Sequence, residues 1–386
     1  MLGGIMKFSL SAIYLVIFSA FAAQSATYYV STTGSDSNSG SSSSPWRNPQ
    51  RCADAPVRAG DTCIVRSGIY KDHNADGIVV WVKGTSSGTS TKPIVIKSEI
   101  LRGAKIIVPS LNKLNAGFRV SRSYYVIEGF DISGGTNPGL SASYTGIDFT
   151  SGATGSIARL NSIHHIGRTI CSNSVYGFDG IFVHGTWGLI LEKNTIYSVG
   201  RLRKGENGCS TVRFQNDHGI YVAGSTNLII RRNIVYDTNR GFPIHIYGGT
   251  TTNLNVYHNT LSGKSPTGKP AGQILLGSTI NGANIKNNIS HDPSYGMVNY
   301  YALKATKVSV SYNLSSNSTL VDIPGILAPT GVIFSSNLKN VSNFGFVNTL
   351  LRNYQIVSTS AARNRGSMSG VPAVPDGRPD IGAYEY

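Results

Sequence analysis

One stretch, HGIYVAGSTNLIIRRNIVYDTNRG from His218 to Gly241, fixes the kind of fold this chain can adopt. Its apolar residues alternate: Ile220 and Val222, Leu228 and Ile230, then Ile234 (or Val235) and Tyr236. A helix would repeat every third or fourth residue, so period two broken by turn residues predicts three short strands joined by tight bends. The phrase recurs as TGIDFTSGATGSIARLNSI from Thr145, DGIFVHGTWGLILEKNTIY from Asp179, FPIHIYGGTTTNLNVYHNTL from Phe242, GQILLGSTINGANIKNNIS from Gly272 and GMVNYYALKATKVSVSYNLS from Gly296. The aligned aliphatics are Ile147, Ile181, Ile220, Ile244, Ile274 and Val298, at spacings of 34, 39, 24, 30 and 24. A basic period near two dozen residues, lengthened by insertions, is the signature of a solenoid whose coils bury a core only by stacking.

Asparagines align as well: Asn161, Asn194, Asn233, Asn259, Asn288 and Asn313. Asn tolerates a left-handed backbone better than most residues with a side chain. The column is therefore expected at a tight bend, with each Asn hydrogen-bonding to the Asn above and below.

The remaining bounds agree with one all-β solenoid rather than two or three globular domains. Gly numbers 44 and only 14% of residues are charged, which suits a turn-rich β protein. Residues 1–26 read as a secretory signal peptide, with one Lys, an apolar run and small residues before a cleavage point near Ala26 or Ala22. That run is too short and too early for a membrane span, so an exported β-helical domain over 27–386, with an N-terminal cap and a C-terminal tail, is expected. Four cysteines in an exported chain make two disulfides, for which three pairings exist. Cys52 and Cys63 lie close in the cap, while Cys171 and Cys209 sit in insertions 168–178 and 201–217, which the repeats bring to one corner. Those are the expected pairs.

The chain carries a net charge of +15, of which the leader removes only Lys7. A basic surface attracts polyanions, and outside the cell an acidic polysaccharide is the natural one. Nucleic acid is not expected, for want of an aromatic-basic motif, and the chain is expected to act as a monomer.

In G-I-x-V-x the aliphatics point inward, so the residue between them and the one after point out. One outward column reads Asp148, Phe182, Tyr221, His245, Leu275, Asn299; the next reads Thr150, His184, Ala223, Tyr247, Gly277, Tyr301. Adjacent coils lie about 5 Å apart, so these side chains converge. Tyr221, His245, His218, Arg240 and His184 are the expected catalytic set. Tyr247, Arg213, Lys204 and Asp148 are expected to bind substrate. Asp179 and Asp217 could hold a cation such as Ca2+ or could cap turns.

The repeated GI-x-V…N-L-x-I-x-x-N phrase resembles the right-handed parallel β-helix of the pectate-lyase-like superfamily over roughly residues 60–340. The opening TYYVSTTGSDSNSG and the ending GRPDIGAYEY are similar to those of secreted bacterial β-helix proteins, including family 9 polysaccharide lyases. YGFD at Tyr176–Asp179 resembles the YGFDPH of mannuronan epimerases, with Gly180 and Ile181 in place of Pro and His. The resemblance implies chemistry at C5 of a uronate: carboxylate neutralisation by Arg or a cation, proton removal, then β-elimination by a lyase or reprotonation by a C5-epimerase. The lysine base expected of family 9 lyases has no counterpart on the outward column. No Asp-Asp pair supports hydrolysis as in polygalacturonases. A polysaccharide lyase is the leading expectation, with a C5-epimerase or a non-catalytic polysaccharide-binding β-helix as alternatives.

Overall fold

The computed structural model describes residues 24–54, 56–137, 139–210, 216–263, 272–320, 329–374 and 377–386. The expected leader lies almost wholly outside these residues, and so does Arg213. The aliphatic column aligned in the sequence is the register of the sheet. Ile147, Ile181, Ile220, Ile244, Ile274 and Val298 are successive Cα partners, every pair parallel. The coils build an eighteen-stranded and a nine-stranded sheet, and the chain is a right-handed parallel β-helix. Only the terminal pair Phe346–Asn348 and Asn353–Ile356 is antiparallel among the described strands. No helix among the described residues is long and apolar enough to cross a membrane.

Hydrophobic burial closes the solenoid. Ile147, Ile181, Ile220, Ile244 and Ile274 are fully buried and face Ile163, Ile196, Val235 and Leu261 of the nine-stranded sheet. Each such side chain contributes roughly 1.5–3 kcal/mol. The Gly before Ile147, Ile181 and Ile220 has a steric cause. A Cβ on Gly180 would lie 2.5 Å from the Gly219 carbonyl oxygen and 2.6 Å from Cγ2 of Ile196. The first strand therefore enters flush against the core.

The asparagine ladder forms as expected and gains a seventh member, Asn337. The backbone N–H and Nδ2 of Asn233 both donate to Oδ1 of Asn259 at 3.0 Å, and those of Asn194 donate likewise to Asn233. The left-handed residue is not the Asn, however. It is the residue before it: Leu160, Lys193, Arg232, His258, Asn287, Tyr312 and Ser336 have φ between 53° and 61°. The buried amide supplies the hydrogen bonds that hold this corner, and its neighbour takes the strained angle.

Both expected disulfides are present, Cys52–Cys63 and Cys171–Cys209. The first ties the cap strand segment to its 3-10 turn Pro49–Ala53, beside the buried Trp46. At the other end, residues 366–369 and 380–386 fold back on the asparagine corner, where Ser367 hydrogen-bonds with Asn287, Glu385 pairs with Arg232 and the Gly382 N–H donates to the Asn287 carbonyl.

Candidate active site

The outward column runs in strict register as Trp81, Arg119, Asp148, Phe182, Tyr221, His245, Leu275 and Asn299. It is two coils longer than the repeats alone disclose. Its middle is a run of stacked rings: Phe182 on Tyr221 at 5.1 Å, Tyr221 on His245 at 5.1 Å, and His245 on Tyr247 at 5.6 Å, all within 23° of parallel. His184 stands at the side of Phe182, 6.0 Å between centroids, and is exposed. At the lower end the Arg119 guanidinium lies over Trp81 and its Nε approaches Asp148 at 3.5 Å.

Behind His245 is a fixed hydrogen-bond relay. The backbone N–H of Phe242 donates to Nδ1 of His218 at 3.1 Å. That nitrogen must then carry a lone pair, so the proton of His218 is on Nε2, which lies 2.6 Å from Nδ1 of His245. His245 accepts there and carries its own proton on Nε2, the ring edge away from His218. Burial pushes its pKa down to about 3, so it stays neutral. His245 is accordingly a neutral imidazole with an N–H on that edge. Gly241 is required here, since a Cβ would lie 1.6 Å from the Asp217 carbonyl oxygen and 2.6 Å from Nδ1 of His218.

Burial tunes the neighbours. Burial pushes the Asp148 carboxyl up to about 6 even though Arg119 and His184 oppose it. Asp179, wholly buried beside Asp217, is held well above the usual carboxylate range and accepts the backbone N–H of His218 at 3.0 Å. Burial, then the charges of Asp179 and Tyr247, raise the Tyr221 phenol, which is therefore protonated at neutral pH.

Two expected site residues are structural instead. Arg240 is 1% exposed, and its guanidinium donates to the Ser172 carbonyl at 2.9 Å and lies 3.6 Å from Sγ of Cys209. It fastens the disulfide-linked insertions to the coil and does not face the groove. Asp217 is fully buried, with both oxygens engaged by Arg201: Nη2 donates to Oδ1 at 2.7 Å, and Nε and the backbone N–H donate to Oδ2. Of the two expected cation donors, Asp217 has both oxygens engaged by Arg201, and Asp179 is buried with Oδ1 accepting the His218 backbone N–H. Among the described residues no cluster of three or more His, Cys, Asp or Glu gathers in metal-binding geometry. Lys204 is exposed on the second insertion, Tyr247 is half-buried in the stack, and Arg213 lies outside the described residues.

Sequence reasoning missed Arg119 and Trp81. Their signals were GIVVWV at 77–82 and AGFRV at 116–120, two imperfect copies of the first-strand phrase.

No family model matches the chain. No curated protein sequence matches it either. Among solved structures, the pectate lyase Pel9A is similar at 15% identity and a TM-score of 0.49, over 93% of this chain and 96% of that one. A rhamnogalacturonan lyase is similar at 14% identity and a TM-score of 0.39, over 83% and 90%. The GH136 lacto-N-biosidase from Eubacterium ramulus has 14% identity and a TM-score of 0.43, over 81% of this chain and 63% of that one. The chemistry has to be read from the chain's own residues.

Proposed function

We propose that the chain is an exported polysaccharide lyase that cleaves a uronate-containing polymer by β-elimination. The observation that carries this reading is the Tyr221–His245 stack with its relay, a protonated phenol beside a fixed imidazole N–H on one open face. Elimination at a uronate removes the C5 proton, breaks the C4–O bond, forms a C4=C5 double bond and protonates the departing O4. His184, exposed beside the stack, suits the base. Tyr221 suits the acid that protonates O4. The Nε2–H of His245 suits the carboxylate, whose oxygens gain charge as C5 loses its proton. Arg119 and Lys204 supply cations for carboxylates along the polymer.

Stereochemistry narrows the substrate. These groups project from one sheet face, so base and acid meet the same side of the sugar ring. That suits syn elimination, available where the C5 hydrogen and O4 share a ring face, as in manno- and gluco-configured uronates. In galacto- and gulo-configured uronates they lie on opposite faces. A C5-epimerase likewise needs donors on both faces, and the one-sided column favours the lyase.

Incubation with mannuronan, glucuronan, polyguluronate and polygalacturonate, followed by ultraviolet absorbance of the conjugated product, tests the reading. Cleavage of the first two is expected, and Tyr221→Phe or His184→Ala should lower turnover by about 10²–10⁴. Solvent deuterium entering C5 without absorbance would make the chain an epimerase. Binding without either would make it a non-catalytic polysaccharide-binding protein.

A further inference from the structure

Away from the stacked rings, the asparagine corner carries a second basic feature. Its left-handed column includes Arg102, Lys193 and Arg232, with φ of 64°, 55° and 54°. Positive φ aims these side chains outward from the corner. Arg102 stands three coils before Lys193, with Gly129 and Leu160 between them in the column. Its guanidinium nevertheless reaches Oγ1 of Thr195 at 3.1 Å, lying across the small and apolar positions. Lys193 and Arg232 are neighbours in adjacent coils, like charges at strand spacing, an arrangement that costs stability unless an anion answers it.

The returning C-terminus walls this region into a cleft of about 440 Å³, floored by Leu160 and Ile234 and flanked by Tyr384 and Glu385. Glu385 is already engaged: its Oε1 accepts from Arg232 at 2.9 Å, and its Oε2 accepts the Asp380 N–H. Among the described residues the Lys193 ammonium has no hydrogen-bond or ion-pair partner, and the Arg102 guanidinium has only the Thr195 hydroxyl as a hydrogen-bond partner. Three cations thus surround a concave site with one carboxylate, beside an apolar floor and a tyrosine ring. The volume lies within the range of small-ligand pockets.

We infer that this cleft binds a carboxylated sugar unit, forming an accessory site for the acidic polymer on a face other than the stacked column. Arg102 and Lys193 would hold the carboxylate, while Leu160 and Tyr384 would contact the ring. A neutral sugar would leave the cations unanswered, and a bare inorganic anion would leave the apolar floor unused. The inference shares with the proposed function only the acidic polymer, and its readout is binding.

Calorimetric titration of the full chain with mannuronate and glucuronate hexasaccharides tests it. Sulfate and a neutral cello-oligosaccharide serve as controls. Two sites per chain are expected for the parent. The double variant Arg102→Gln, Lys193→Gln should keep one, with unchanged cleavage of short oligomers and an unchanged melt, since both side chains are exposed. Hydrogen exchange on the parent gives a second readout, with ligand-dependent protection expected around Thr195 and Ala383–Glu385. Retention of two sites by the double variant would overturn the inference, and so would equal binding of sulfate or of the neutral oligosaccharide. A parent that binds a single hexasaccharide, lost in the double variant, would uphold the cleft and remove the groove reading instead.

Discussion

His218 and His245 share a 2.6 Å hydrogen bond whose direction is set from behind, because the Phe242 N–H occupies the other nitrogen of His218. His245→Ala would leave the Nε2–H of the buried His218 without an acceptor, which costs about 1–3 kcal/mol. The expected result is a clear drop in melting temperature together with lost turnover. His245→Gln, whose amide oxygen can accept the same proton, should recover most of the stability and little of the activity. The pH dependence follows as well. The folded pKa of His245 is depressed to about 3 from 6.5, so its contribution to stability is present above pH 6.5 and is lost as pH falls towards 3. A pH series of melts should show a shallower acid decline for His245→Gln than for the parent.

Asp148 has the opposite sign. Its carboxyl is raised from 3.8 to about 6 by burial, so between those values the unfolded chain has released a proton that the folded chain still holds. Ionisation then costs stability as pH rises from about 4 to about 6. Asp148→Asn should remove that decline, leaving the variant more stable relative to the parent at pH 7 than at pH 4, by on the order of 2 kcal/mol. Parallel melting curves for the two proteins across this range would mean that Asp148 is ionised in the folded state.

Much of the fold was legible because a solenoid writes its register into its period. Ile220 and Val222 alternate inward, and their partners in neighbouring coils could be found by alignment alone. The outward column holding Tyr221 and His245 followed from the same parity. Other features were not written there. Parity says which way Arg240 leaves the coil but not that an inserted loop will cover it. The Asn column marked a tight corner correctly, yet the sequence gives no sign that Arg232 rather than Asn233 takes the left-handed angle. That division of labour depends on where the amide must point to reach the next coil. The acid of Asp217 read as a possible ligand because its partner, Arg201, is sixteen residues away across an insertion.

Arg240 and Arg119 should fail differently when truncated. Arg240→Ala removes the donor to the Ser172 carbonyl and would loosen the wall formed by the insertions. Faster proteolysis between residues 171 and 209 is expected, with loss of both kcat and substrate affinity. Arg119→Ala leaves the insertions in place, because Arg119 lies on the outward column over Trp81 and its ion pair with Asp148 is long at 3.5 Å. Here KM for polymer should rise while the proteolysis pattern stays the same, as expected when binding common to ground and transition states is lost. The same proteolysis pattern in both variants would place Arg240 outside the structural role assigned to it.

The asparagine ladder predicts a position-dependent cost for a single kind of substitution. Oδ1 of Asn233 accepts from both the N–H and Nδ2 of Asn194, while its own Nδ2 donates to the Leu191 carbonyl and to Asn259. Asn233→Ala therefore strands the Asn194 N–H, the Asn194 amide and the Leu191 carbonyl inside the corner, with no water to replace their partner. Each orphaned group costs roughly 1–3 kcal/mol, so a loss of several kcal/mol is expected. Asn337 makes the same bonds to Asn313 and to the Val310 carbonyl at the ladder's end, where it is half-buried. Water can reach that site, and Asn337→Ala should cost far less. Stability in a solenoid is carried by nearest-neighbour interfaces, so the interior variant should also unfold in two steps, one on each side of the broken coil. Urea melts followed by tyrosine fluorescence would show both effects, and equal, single-step losses for the two variants would mean that the corner is held by strand pairing and not by the amide ladder.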